Sequence, residues 1–389
     1  MSVLRPRPPE EPLEIEGVSP AAAAEAGHAE RIAAALAAVV DAPDDPATRA
    51  LLAVDTLLAD YGITRSTATR RDSRLFALLG AAREVAAAAD RIVVIGPAVD
   101  LAGLRLVLAA CAHPWHDHLG RGERGGRPRL AFLPADPAPD PDALAGLVDL
   151  LGGPATPAGG GRDLLDRAAL VVIGRAGDAA LGDAVAVLGP AVEHRVTWVA
   201  DGVDGGAAGG AGAPLAPAGL LAGALAGIDV VRLLVGAAAL VALCRGETAT
   251  SPVAMLVRAL AGPASPRSIG VDASALGPLA EWYGHLLHIA GVPAALVTHG
   301  DPSGAAVRIL VRGGRPRRTP VAGAPPRPAV AVPPPGAPCR SVVVRLPRVD
   351  EHSLGQLVAL LILTTAVERR LTGADGPRGE RCGGAVRRL

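Results

Sequence analysis

The sequence predicts an α/β protein built from two doubly wound parallel-sheet units, with a helical N-terminal extension and a C-terminal helix. Three observations carry that reading. Short continuous apolar runs such as RIVVIG (91–96) and ALVVIG (169–174) have the length and Val/Ile content of strands buried on both faces. Stretches with helical spacing alternate with those runs. The alternation then restarts near residue 267, as a second unit would require.

Residues 1–20 carry charges and prolines where a secretion signal would need an apolar run, so they read as a flexible tail. Residues 21–74 form the helical extension, with Ile32, Leu36 and Val39 and then Leu51, Leu52 and Leu57 at amphipathic spacing. The first α/β unit covers 75–248, its strands being 91–96, 129–133 (RLAFL), 169–174 and 195–200 (RVTWVA). Helices LAGLRLVLAACA, PDALAGLVDLL and DAALGDAVAVL lie between them. The second unit covers 249–350, with strands at 267–272, 294–299, 307–312 and 341–346 and the helix LGPLAEWYGHLLHIAG after the first. Its Pro- and Arg-rich segment 313–339 reads as an exposed loop. Residues 351–389 are a terminal helix and tail, in which Ser353 and Gln356 have capping-box spacing.

Composition excludes several function classes. Arg and Lys together balance Asp and Glu at 38 each, which leaves no net field for nucleic acid or an anionic membrane. Every basic residue in that count is Arg, so a Schiff base, a lysine base and a P-loop lysine are all ruled out. Cys111, Cys244, Cys339 and Cys382 form no C-x-x-C pair and read as reduced thiols in a cytoplasmic protein. The Gly-rich runs GRAGDAALG and GGAAGGAG lack a dinucleotide fingerprint, and no cofactor is expected. His113, His116 and His118 could offer imidazoles to a metal, but HPWHDH is a short connecting loop without a fourth ligand, and no metal is expected.

The run GGAGAPLAPAGLLAGALAGIDV (209–230) raises the question of a membrane span, because Gly219, Gly223 and Gly227 repeat G-x-x-x-G. Pro214 and Pro217 interrupt its first half, and Asp229 and Arg232 follow without an aromatic belt. The expectation is a long soluble core helix packed closely on a sheet.

These stretches, taken in order, resemble phosphoglucose isomerase. RIVVIGPAVDLAGLRLVLAAC is similar to the family's strand, "GIGGS-x-x-G" turn and helix. The 209–230 run resembles "GGR-(aromatic)-S" followed by "GL(L)P-x-x-x-x-GID". AEWYGHLLHIAG resembles "WYxQLxxES-x-GK", and SLGQLVALLILTTAVERRLTG the family's last helix. The resemblance covers roughly residues 75–380 and implies two sugar-isomerase (SIS-like) domains, glucose 6-phosphate and fructose 6-phosphate as substrates, and a dimer.

On the functional positions the resemblance thins. Gly96 matches the first turn, but Pro97, Ala98 and Val99 replace its glycines and Ser, and Pro removes an amide donor. The family's phosphate loop reads GRAGDAALG, without a hydroxyl; Arg175 stands at its lysine and could hold phosphate bidentately, while Asp178 would repel it. Gly209 and Gly210 match the paired glycines, but the family's Arg and Ser fall on Ala211 and Ala213. The proton-shuttling Glu falls on Ile289, and the ring-opening His near Ser303. His288 and His299 are the residues nearest to those lost groups, and His285 shares a helix face with His288.

The resemblance thus implies substrate-binding positions at Gly96, Arg175, Gly209 and Gly210, and catalysis only through relocated groups such as His288 or His299. Two classes stay open: an isomerase with impaired chemistry, or a noncatalytic sugar-phosphate-binding or dimerisation partner, as a homodimer or with a catalytic homologue.

Overall fold

A computed structural model of the chain describes residues 11–16, 26–66, 73–135, 139–150, 168–174, 179–188, 196–199, 214–260, 267–292, 296–297, 307–315 and 340–373. Strand β1 is Glu14–Glu16, followed by helices α1 (Ala26–Asp41), α2 (Pro46–Leu52), α3 (Val54–Ser66) and α4 (Arg74–Ala88). The first α/β unit comprises β2 (Arg91–Gly96), α5 (Ala98–Cys111), β3 (Arg129–Pro134), α6 (Pro141–Leu150), β4 (Ala168–Ile173), α7 (Ala179–Leu188) and β5 (Val196–Val199). Helices α8 (Pro217–Leu225), α9 (Val230–Gly246) and α10 (Pro252–Leu260) lead to the second unit. That unit comprises β6 (Arg267–Val271), α11 (Leu279–Ile289), β7 (Leu296–Val297), β8 (Val307–Arg315) and β9 (Arg340–Arg348), and α12 (Glu351–Thr372) follows.

The strands of the first sheet lie in the order β3-β2-β4-β5, all parallel. In the second sheet the order is β1-β9-β8-β6-β7, with β6 to β9 parallel and β1 antiparallel on the edge. The first strand of each α/β unit, β2 or β6, lies inside its sheet with later strands of the unit on either side, as in doubly wound sheets. Alternate residues of β2 and β4 face opposite ways. Ile92, Val94, Ala169 and Val171 enter the main core with α5, whereas Val93, Ile95, Leu170 and Val172 pack with Leu181 and Leu188 of α7. The main core is continuous through both units, joining Leu101 of α5 to Ile309, Val342 and Leu360.

Helix α12 explains that continuity. It is buried from His352 to Glu368, so it is a helix enclosed on all sides. Its closest approach is to α9, where the helices touch through glycines. A β-carbon on Gly355 would lie 2.0 Å from the Leu233 carbonyl oxygen, and one on Gly236 would lie 2.0 Å from that of His352. Asp350 fixes the start of α12, its carboxylate accepting from the Ser353 amide at 3.0 Å and pairing with Arg232 of α9 at 3.0 Å.

Several sequence expectations are corrected. The capping box at Ser353 and Gln356 does not form, because Asp350 caps the helix and Ser353 lies inside its first turn. Gln356 is buried instead and its Oε1 accepts from the Leu13 amide at 3.1 Å. That bond helps to hold β1, so residues 14–16 of the expected tail are a strand, paired with Val343, Val344 and Arg345. The expected loop 313–339 begins later, since β8 continues through Gly313 and Arg315 opposite Leu346 and Arg348. The rest of that segment is outside the described residues.

The double G-x-x-x-G is not one long helix. Gly219 and Gly223 belong to α8, while Gly227 has φ 82° and ends it. The Ile228 amide donates to the Gly223 carbonyl at 2.9 Å and the Gly227 amide to that of Ala224 at 3.0 Å, which is a Schellman closure. Nor does Gly223 pack on a sheet: its missing β-carbon makes room for Val230 and for Val107 of α5. Among the described residues no helix is long and apolar enough to cross a membrane.

Candidate functional site

In a doubly wound sheet, ligands bind beyond the carboxyl ends of the strands where the order reverses. For the first sheet this is the crevice at β2, whose neighbours are β3 on one side and β4 on the other. Strand β2 ends at Gly96, and β4 ends beside Gly174. Gly96 is required by packing, because a β-carbon there would lie 2.9 Å from Ile173 Cβ and 3.3 Å from the Ile173 carbonyl oxygen. Gly174 has φ 142°, and its β-carbon would run into Leu181 of α7. The two glycines let β4 and α7 close against β2, which narrows the crevice.

The N-terminus of α5 opens into the same crevice. Pro97 caps it with no side-chain hydrogen bond, and its carbonyl accepts from the Asp100 and Leu101 amides at 3.1 Å each. The outward donors of the first turn are therefore the amides of Ala98 and Val99. Asp100, fully buried in that turn, sits where the helix dipole favours a carboxylate. Sequence reasoning passed over it; the available signal was one acid inside the apolar run AVDLAGL.

Of the other predicted site residues, the structure describes His288. It lies exposed on the last turn of α11. Beside it Ile289, where the sequence resemblance places the proton-shuttling Glu, is 42% exposed. Ser274 and Ala275 lie near the C-terminal end of α5, and Glu281 pairs with Arg105 further back along that helix at 3.2 Å. Arg175, Gly209, Gly210 and His299 lie outside the described residues, as does Ser303. The sites they were expected to form are not assembled among the described residues.

HPWHDH forms a loop with a short 3₁₀ turn at His116–His118. His113 Nδ1 accepts from the Trp115 amide at 3.0 Å, and His116 Nε2 bonds the Pro128 carbonyl at 3.2 Å. Among the described residues, no three His, Cys, Asp or Glu side chains converge on a point where a metal could sit.

A buried polar cluster that the sequence did not reveal lies elsewhere. Arg267, the first residue of β6, grips Glu368 of α12 through two bonds of 2.8 and 2.6 Å. Burial pushes the Glu368 carboxyl above its ordinary value, against the opposing pull of Arg267. The Tyr283 hydroxyl is buried beside this pair. Burial, then the Glu368 charge, pushes its pKa up to about 12. The cluster stands at the amino end of β6, remote from the ligand-binding ends of the strands, and ties α12 and α11 to the second sheet. Glu368 escaped notice because VERRL reads as a solvated face.

The chain matches no protein-family model and no curated protein. Among solved structures it is similar to a hypothetical protein from Thermus thermophilus, at 16% identity and a TM-score of 0.59, over 92% of this chain and 94% of that one. It is also similar to a glucose-6-phosphate isomerase from Chlamydia trachomatis, at 13% identity and a TM-score of 0.53, over 75% of this chain and 67% of the other. At these identities the likeness is one of fold: the chain shares the two-unit α/β architecture of these proteins.

Proposed function

We propose that this chain binds a hexose phosphate at the carboxyl ends of β2 and β4, and that as a glucose-6-phosphate isomerase it is catalytically impaired. The observation that carries the reading is Ile289. Aldose–ketose isomerisation needs a base that lifts a proton from C2 and returns it to C1, and a hydrocarbon side chain can do neither. Ile289 is 42% exposed on the last turn of α11, so core packing does not account for an apolar residue there.

What remains suits binding better than turnover. The Ala98 and Val99 amides at the start of α5 are donors for an anion or a sugar oxygen, and Pro97 contributes none. Arg175 supplies the guanidinium that replaces the family's lysine. His288 is the exposed group closest in sequence to the lost base, and His299 the nearest to the lost ring-opening histidine. With the proton shuttle gone, the partner the resemblance implies is a second copy or a catalytic homologue.

The test is a coupled assay of the purified protein, freed of host isomerase, for interconversion of glucose 6-phosphate and fructose 6-phosphate, run beside calorimetric binding of both. Binding with turnover far below about 1 per second is the expected result. Turnover in the ordinary enzyme range of about 1–1000 per second would overturn the impaired reading and move the base role to His288 or His299.

A further inference from the structure

Between the two units lies a cleft of about 330 Å³ that the crevice at β2 and β4 does not include. Leu108 of α5 and Phe132 of β3 give it an apolar wall, Ser274 lines it from the second unit, and His113, His116 and Asp117 of the HPWHDH loop form its polar side. That volume is at the small end of ligand clefts, enough for one ring-sized molecule.

Its position is independent support. Ser274 opens the turn that follows β6, and β6 is the strand where the second sheet reverses order, with β7 on one side and β8 on the other. The cleft therefore adjoins the second sheet's own switch point, the counterpart of the crevice in the first. The strand ends there are fastened together: Asp272 Oδ1 accepts from the Gly313 amide at 2.8 Å, and the Asp272 amide donates to the Val311 carbonyl at 3.2 Å.

We propose that this inter-unit cleft binds a small uncharged polyol of about the size of a free hexose. The polar side chains define that chemistry. Because His113 Nδ1 accepts from the Trp115 amide, the neutral ring carries its proton on Nε2. His116 donates from Nε2 to the Pro128 carbonyl, which leaves Nδ1 as an acceptor. With the Asp117 carboxylate and the Ser274 hydroxyl, the cleft mixes donors and acceptors as a set of ligand hydroxyls does. Leu108 and Phe132 suit the C–H face of a ring. No arginine lines the cleft among the described residues, and Asp117 repels phosphate, so an anion is disfavoured. One carboxylate and one hydroxyl are too few oxygen ligands to hold a hard cation.

The test is calorimetric titration of the full chain with glucose, fructose and sorbitol, each to about 50 mM, and separately with glucose 6-phosphate. Saturable binding of at least one neutral polyol with a Kd of about 1–10 mM is expected. Ala109→Leu, which fills the cleft, should weaken it at least about tenfold, and Ser274→Ala should weaken it several-fold, both with an unchanged melting temperature. Arg175→Ala should leave neutral polyol binding intact and weaken only glucose 6-phosphate.

No saturable heat with any neutral polyol would overturn the proposal, as would Ala109→Leu and Ser274→Ala variants that bind like the parent. Loss of neutral polyol binding in Arg175→Ala would place the ligand in the first crevice and overturn it too. Binding of glucose 6-phosphate alone would sink this inference while leaving the hexose phosphate site standing.

Discussion

Replacing Gly355 by Ala adds one methyl group at the place where α12 and α9 touch. That carbon would lie 2.0 Å from the Leu233 carbonyl oxygen and 2.9 Å from the Ala237 amide nitrogen, both backbone atoms. An ordinary contact needs about 3.4 Å or more, so the helices must separate by more than about 1 Å. No rotamer change can relieve the clash. Overpacking a core costs about 1–3 kcal/mol and sometimes more, and a rigid backbone contact in a helix buried along most of its length belongs at the upper end. The better helix propensity of Ala returns about 1 kcal/mol, which leaves a net loss of about 2 kcal/mol. Gly236→Ala should behave alike, since its β-carbon would meet the His352 carbonyl oxygen at 2.0 Å. Gly80→Ala in α4 is the internal control: nothing lies within 4 Å of its β-carbon, so the same substitution should stabilise by up to about 1 kcal/mol. Thermal and urea unfolding of the three variants decide the matter. A Gly355→Ala protein that melts at or above the parent would refute the backbone contact and the crossing built on it.

Other contacts lead to three further outcomes. Glu368→Ala leaves Arg267 buried and unpaired and should cost about 3–5 kcal/mol in urea unfolding, whereas the double change Arg267→Met with Glu368→Leu should recover most of that loss. Gln356→Ala removes the acceptor of the buried Leu13 amide and should cost about 1–3 kcal/mol, with faster hydrogen exchange concentrated in β1. The Arg345 guanidinium, hydrogen-bonded to Glu16 at 2.9 and 3.0 Å, holds the Glu16 carboxyl below its ordinary value. This pairing contributes fully above the ordinary carboxylate range and is lost as pH falls through the lowered value. Exchange of the β1 amides should therefore show acid loosening that Glu16→Gln abolishes, and an identical profile in that variant would disprove the linkage.

The fold was legible because its strands are continuous Val- and Ile-rich runs buried on both faces, bounded by Gly, Pro or charge. RIVVIG predicted β2 to the residue, since Arg91 and Gly96 stop the apolar run at both ends. Strand β1 was not legible. Its three residues, EIE, alternate too briefly to register, and its partners Val343, Val344 and Arg345 are remote in sequence. The cap of α12 was misread for a similar reason, because Asp350 and Ser353 are both good caps and only the Arg232 contact across the fold favours Asp350. The burial of α12 on every side was hidden by Ser, Gln, Thr and Glu residues that suggest a wet face but are satisfied or enclosed inside. The first crevice was half legible: the strand ends and glycines could be placed, but a single Asp in an apolar run does not announce that it is buried.

Glycines and hydrocarbons at the candidate site call for opposite arguments. Gly96 is explained without a ligand, because Ile173 leaves no space for a β-carbon. Its match to a substrate-binding turn is thus required by the sheet itself, and a chain that had given up the reaction would still keep it. The same holds for Gly174 against Leu181 and for Gly223 against Val230. Ile289 is the reverse. It is exposed, it makes no demand on the core, and a charged side chain would cost nothing there in packing. On the proposed reading, an apolar residue at that place is one that a chain relieved of the base can carry. Scaffold glycines held by packing, beside an exposed hydrocarbon that packing does not demand, are what the proposed role, binding without proton transfer, would leave in the chain.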